Sequence, residues 1–210
     1  KLEIKDVNYS YNETKKVFKG DLNLTINRGD FIGIYGKSGS GKSTFVNLIT
    51  GLLKPNTGKI EVGGQNIQKN IKSWQNNIGY VPQNVYLLDN SISNNIAFGE
   101  QTDIINKERV NKVAKYSKID EFVHGLSEKF DTGVGEQGVL VSGGQKQRIG
   151  LARAFYKDPE IIILDEVTVG LDKKIELEIL DLILTLKDKK TFIIVSLDKN
   201  ILKNCSKVYS

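Results

Sequence analysis

Apolar and polar residues alternate along Leu2-Glu3-Ile4-Lys5-Asp6-Val7-Asn8-Tyr9 and again from Val17 to Ile26, the period of strands with one covered face. A turn-rich patch at Asn12-Glu13 separates the two, and Asn27-Arg28-Gly29-Asp30 is a turn leading out of the second. Three further runs do not alternate: Phe31-Ile32-Gly33-Ile34-Tyr35, Ile161-Ile162-Ile163-Leu164 and Thr191-Phe192-Ile193-Ile194-Val195. Solid apolar runs rich in β-branched residues suit parallel strands covered on both faces. Shorter strands are predicted at Lys59–Val62, ahead of a Gly63-Gly64 turn, and at Ile78–Val81, closed by Pro82. Lys207-Val208-Tyr209-Ser210 reads as an unfinished strand, so the chain is expected to be a piece of a longer one.

Helical spacing appears elsewhere. Phe45 to Thr50 reads as a helix ending at Gly51, and Ser91 is a predicted cap for a helix through Ala97 and Phe98. Lys107 to Tyr116 places Val110, Val113 and Ala114 on one face. A helix after Ser142 carries Ile149, Ala152 and Phe155 inward and ends before Asp158-Pro159. Another starts at Asp172, with Ile175, Ile179, Leu182 and Leu186 as its stripe, and ends at the surface in Lys187-Asp188-Lys189-Lys190. Strands dominate up to about residue 83 and again from 158, and helices dominate 84–157. The pattern predicts one α/β domain over residues 1–210, with a core lobe of 1–83 and 158–210 and a helical lobe of 84–157.

Composition narrows the function. Of 210 residues 39% are hydrophobic, and the net charge of +5 is spread without a basic block, which argues against a nucleic-acid arm. One cysteine, Cys205, excludes an internal disulfide and fits a reducing compartment. One histidine, His124, lies at a predicted helix end, where capping is its expected role, and one His with one Cys cannot build a zinc site. No apolar stretch approaches the length of a membrane span. Trp74, in a polar helix-like stretch, is expected to pack.

The chemistry concentrates at Gly36-Lys37-Ser38-Gly39-Ser40-Gly41-Lys42-Ser43-Thr44, which fits G-x-x-x-x-G-K-[ST] between a strand and a helix. Glycines let such a loop turn its amides on an anion, and the helix N-terminus adds partial positive charge. Lys42 is placed to reach the β- and γ-phosphates, and the Ser43 hydroxyl to bind Mg²⁺. Asp165 and Glu166 end the buried run at Ile161, where such enzymes keep metal and water. Asp165 would support Mg²⁺ and Glu166 the attacking water. Gln83 follows the strand closed by Pro82, at a carboxyl end. Ser142-Gly143-Gly144-Gln145 opens a second helix able to meet a phosphate. Local spacing makes Tyr11 an exposed turn tyrosine.

In order and spacing this set resembles the nucleotide-binding domain of ABC transporters over essentially the whole chain. On that resemblance Gly36–Thr44 is the Walker A loop, Gln83 the Q-loop glutamine, Ser142–Gln145 the family's defining motif, Asp165 and Glu166 the Walker B pair, and Asp172 the D-loop aspartate of dimer communication. Tyr11 matches the aromatic that stacks on adenine, which replaces its local reading. The resemblance implies a P-loop NTPase (RecA-like) core with a mixed sheet, an antiparallel β subdomain and an inserted α-helical subdomain. It implies ATP and Mg²⁺ as cofactors, with Ser43, Gln83 and Asp165 on the metal and Lys42, Gln83 and Glu166 catalytic. It also implies two partners, a second nucleotide-binding domain and the transmembrane domain of an exporter or flippase, at the cytoplasmic face of the membrane. ATP would lie between Walker A of one domain and the Ser142 motif of the other. Thr132–Gly138 and Val81–Ala97 look exporter-like. Three positions depart from the family pattern: Val141, the Val169-Gly170 pair, and Leu197 at the switch-histidine position. Losing one transition-state donor commonly costs about 10²–10³ in rate, so slow hydrolysis is expected. The alternatives are an ATP-gated regulatory or dimerisation subunit of a heteromeric exporter, and a soluble non-transport member of the family.

Overall fold

The computed structural model describes residues 1–12, 16–169, 171, 173–186 and 189–210. Glu13, Gly170, Asp172, Lys187 and Asp188, named above, lie outside the described residues. In chain order the strands are β1 (Leu2–Ser10), β2 (Lys16–Ile26), β3 (Phe31–Tyr35), β4 (Thr57–Val62), β5 (Gln65–Asn66), β6 (Ile78–Val81), β7 (Ile161–Asp165), β8 (Thr191–Ser196) and β9 (Lys207–Tyr209). The helices are α1 (Lys42–Ile49), α2 (Ile71–Gln75), α3 (Ile92–Ile96), α4 (Lys107–Tyr116), α5 (Asp120–His124), α6 (Gly143–Tyr156), α7 (Lys173–Leu186) and α8 (Lys199–Leu202). Short 3₁₀ turns join them.

The strands form two sheets. One is antiparallel, in the order β2-β1-β4-β5, and the other has the order β6-β7-β8-β3-β9 with every pairing parallel. Parallel and antiparallel pairings are therefore segregated. The reason is connection length: β4 and β5 meet through the Gly63-Gly64 turn, whereas the parallel strands are joined by long helical crossovers. β4 starts at Thr57, two residues before the predicted strand, because Gly58 at φ 77° brings its backbone against β1; a Cβ there would meet the Asp6 carbonyl oxygen at 2.3 Å.

The parallel strands are buried on both faces by two different cores. Ile162, Leu164, Phe192, Ile194, Phe31 and Val81 join one cluster. Ile163, Ile193, Val195, Ile32 and Ile34, the alternate residues, join the other. The second cluster is closed by α1, through Phe45, Val46, Leu48 and Ile49, and by the antiparallel sheet, through Leu2, Ile4, Ile26 and Ile60. Trp74 seals its edge by donating Nε1–H to the Ile49 carbonyl at 2.7 Å. The first cluster is closed by α6, α7 and α8 and runs without a break into Ile92, Ile96, Val110, Val113 and Val123 of the helical region. The helices of residues 84–157 thus share their core with one face of the sheet. The α7 stripe is Ile179, Leu182 and Ile183, with Ile175 and Leu186 at its half-buried rim. His124 ends α5, its Nδ1 2.8 Å from the Asp120 carbonyl, and is exposed.

Candidate functional site

The loop from Gly36 to Gly41 connects β3 to α1. Gly41 is the N-cap of α1 at φ 98°, a left-handed conformation that glycine adopts without strain, and among the described residues no side chain caps the helix. The first amides of α1 are therefore open to a ligand. Lys37, Ser38, Gly39 and Ser40 are exposed, and Ser40 N–H donates to the Lys37 carbonyl at 3.1 Å to hold the turn. Lys42 is 9% exposed. Its ammonium donates to the Gly36 carbonyl at 2.8 Å and the Lys37 carbonyl at 3.1 Å, and lies 3.4 Å from Glu166 Oε1. The Tyr11 hydroxyl sits 3.1 Å from Thr44 Oγ1, and its ring meets Tyr9 edge-on at 5.1 Å. Tyr11 therefore belongs with the loop, although thirty-three residues separate it from Thr44.

The acidic pair comes from the end of β7. Glu166 N–H donates to the Val195 carbonyl at 2.9 Å, and its backbone then turns to φ 51°, an uncommon conformation for a side-chain-bearing residue. That turn sets the carboxylate beside Lys42. Asp165 is half-buried, and burial pushes its carboxyl above the usual range. Tyr80 O–H donates to Asp165 Oδ2 at 3.2 Å, and burial beside that carboxylate pushes the phenol upward too. In the order β7-β8-β3 the carboxyl end of β8 stands between the acidic pair and the phosphate loop. Leu197 is the residue immediately beyond that end and is 46% exposed.

Gln83 is exposed past β6. Its carbonyl accepts a 2.8 Å bond from Gln147 Nε2, while Gln147 Oε1 is buried without a partner among the described residues. Two more α6 residues at three-residue steps grip the same segment. A Cβ on Gly150 would meet Val85 Cγ2 at 2.6 Å, and Arg153 donates to the Tyr86 carbonyl at 2.9 Å and the Asn95 carbonyl at 2.8 Å. Burial lowers Arg153 to about 10.

Ser142 caps α6 through a reciprocal pair: its Oγ accepts from Gln145 N–H at 3.3 Å, and Gln145 Oε1 accepts from Ser142 N–H at 2.7 Å. Gly143 is exposed, with no atom of the described residues within 4 Å of a Cβ position, and Gly144 is packed on Ile175. Ser142 and Gln145 line a hollow with Lys118, Arg148 and Glu178, apart from the Lys42 cluster. The structure brings Tyr11, Lys42, Thr44, Asp165 and Glu166 together, and Asp172 lies outside the described residues.

These groups fit a magnesium triphosphate. Ser43, Asp165 and Gln83 offer only hard oxygen ligands, the kind Mg²⁺ takes. Lys42 is bound to neutral carbonyls that phosphate oxygens can replace. Sequence reasoning missed Tyr80, Gln147 and Arg153. No local signal pointed to them: α6 also carries Gln145, Lys146 and Arg148, so Gln147 and Arg153 do not stand out in its sequence, and Tyr80 is set apart only by register.

Fold and loop together define a P-loop NTPase domain. The model of the ABC transporter family matches residues 20–169, and the chain belongs to that family. It is 36% identical over 97% of its length to an ATP-dependent lipid A-core flippase of Idiomarina loihiensis, of which it covers 35%. It is 38% identical over 93% of its length to ABC transporter B family member 2 of Dictyostelium discoideum, covering 14% of that protein. A solved structure of a bacterial Atm1-family ABC exporter with ATP bound superposes with a TM-score of 0.90 at 31% identity, covering all of this chain and 36% of that one. The chain thus spans about a third of the flippase and of the exporter it resembles. Among the described residues no helix is long and apolar enough to cross a membrane.

Proposed function

We propose that the chain is the ATP-binding and ATP-hydrolysing motor domain of a membrane exporter or flippase, working as a dimer at the cytoplasmic face of the membrane. The observation that carries this is the meeting of Lys42 and Glu166 at 3.4 Å beside the uncapped start of α1. One cation for phosphate and one carboxylate for water stand within a single ligand's reach. The loop amides and Lys42 bind the β- and γ-phosphates, which frees Glu166 to orient the attacking water. Ser43, Asp165 and Gln83 would hold Mg²⁺, which would supply positive charge against the phosphates. Tyr11 leaves Thr44 to cover the adenine. Ser142–Gln145 of a second domain closes the far side of the nucleotide, and Asp172 links the two sites. The helices of 84–157, entered at Gln83, receive the transmembrane domain.

The decisive experiment is Mg-ATP titration of the purified chain. Saturation below millimolar ATP is expected, with Lys42→Ala weakening it by at least tenfold. Equal binding by both proteins would falsify the assignment. A second reading, an ATP-gated dimerisation subunit with little turnover, is favoured by one observation: Leu197 stands beside the loop where a hydrogen-bonding side chain would serve the γ-phosphate.

A further inference from the structure

We infer that Tyr80 is a positioning residue for the metal carboxylate: its hydroxyl sets the rotamer in which Asp165 receives Mg²⁺. The inference rests on the magnesium role proposed above for Asp165. The parallel register of β6 and β7 places Tyr80 beside Ile163. Side chains two residues apart on a strand share a face, so Asp165 stands on the Ile163 side, one step nearer the carboxyl end. Tyr80 and Ile163 both pack on the cluster closed by α1, and the phenol is long enough to reach the carboxylate from within that cluster. Its O–H donates to Asp165 Oδ2 at 3.2 Å. Among the remaining charges at Asp165, Glu166 repels and Lys42 attracts, and Lys42 is held by Glu166 and two loop carbonyls. A bond from Tyr80 fixes one carboxylate oxygen and leaves the other to the metal. Orienting a ligand through a hydrogen bond to its second oxygen commonly changes metal affinity by about 10–100-fold.

Tyr80→Phe removes the hydroxyl and keeps the ring that packs in the core. Mn²⁺, a paramagnetic stand-in for Mg²⁺, is titrated into the ADP-loaded chain and free Mn²⁺ is read by electron paramagnetic resonance. Tyr80→Phe is expected to weaken Mn²⁺ about tenfold while ADP affinity without metal stays within twofold. Asp165→Asn is expected to weaken Mn²⁺ as well, and Tyr80→Phe added to Asp165→Asn to change nothing more. If Asp165→Asn leaves Mn²⁺ affinity intact, the magnesium role of Asp165 fails, and Tyr80 with it. If Asp165→Asn weakens Mn²⁺ and Tyr80→Phe does not, the role of Tyr80 alone is overturned, including the case in which Tyr80→Phe lowers only the melting temperature. Equal losses from Tyr80→Phe in both backgrounds also overturn it, because the hydroxyl would then act without Asp165.

Discussion

Leu197 has no donor or acceptor, yet it stands one residue past β8, between the phosphate loop and the Asp165–Glu166 pair. An imidazole there could donate to a γ-phosphate oxygen; an isobutyl group cannot. Leu197→His is expected to raise ATP turnover by about 10–10²-fold and to leave ATP affinity within twofold, measured as steady-state phosphate release and nucleotide titration. A native chain that already turns over fast and gains nothing would remove Leu197 as the cause of slow hydrolysis. At this scale, the placement of residues in a contiguous motif was legible: Lys42 opens α1, and Asp165 ends β7 with Glu166 next to it. Tyr11 was not legible locally, because its partner Thr44 is set by folding. Tyr80 was not legible either, since parallel register and not spacing brings it to Asp165.

At the scale of elements, α6 joins the Ser142 motif to the segment after β6. Gly150 packs tightly there, with Val85 Cγ2 at 2.6 Å from a would-be Cβ. Gly150→Ala gains about 1 kcal/mol of helix propensity, but overpacking against Val85 costs about 1–3 kcal/mol. A net loss is expected in chemical denaturation, and it should turn into a gain when Val85→Ala removes the obstructing methyls. A loss of the same size in both backgrounds would place the strain elsewhere. In the antiparallel sheet Glu61 lies 2.8 Å from Lys59 Nζ and 2.9 Å from Lys5 Nζ. These bonds, Lys59 first, hold its carboxyl below the usual range. A carboxylate depressed on folding stabilises above its unfolded pKa, and that contribution is lost as pH falls through the folded value. Glu61→Gln should therefore lower stability at neutral pH and flatten its fall below about pH 4.5, read as melting temperature against pH. Element types were legible because solid runs mark covered parallel strands and alternation marks one-sided ones. The start of β4 was not, since Thr57 and Gly58 become strand only by pairing with β1.

At the scale of the whole molecule, the two helix starts differ in capping and lie apart. The start of α1 is uncapped and holds Lys42 beside Glu166, whereas the start of α6 is capped by its own Ser142–Gln145 pair and lines a separate hollow. On the dimer proposed above, the α6 start of one chain closes the nucleotide held at α1 of the other. Gly143 separates these roles. It is exposed, and no atom of the described residues meets its Cβ position, so among them a side chain fits without a clash. A glutamate there sits in the first turn of α6, where negative charge is favourable by about 0.3–1 kcal/mol, yet it repels a triphosphate brought by a partner. Gly143→Glu should therefore leave the folded chain as stable as before, or more so, and leave its own Mg-ATP affinity unchanged. It should abolish association of two chains in ATP, measured by sedimentation in the Glu166→Gln background, where hydrolysis does not dissolve the pair. If two Gly143→Glu chains still associate on ATP, the nucleotide is not closed by this helix start, and the segregation of the two clusters serves packing alone.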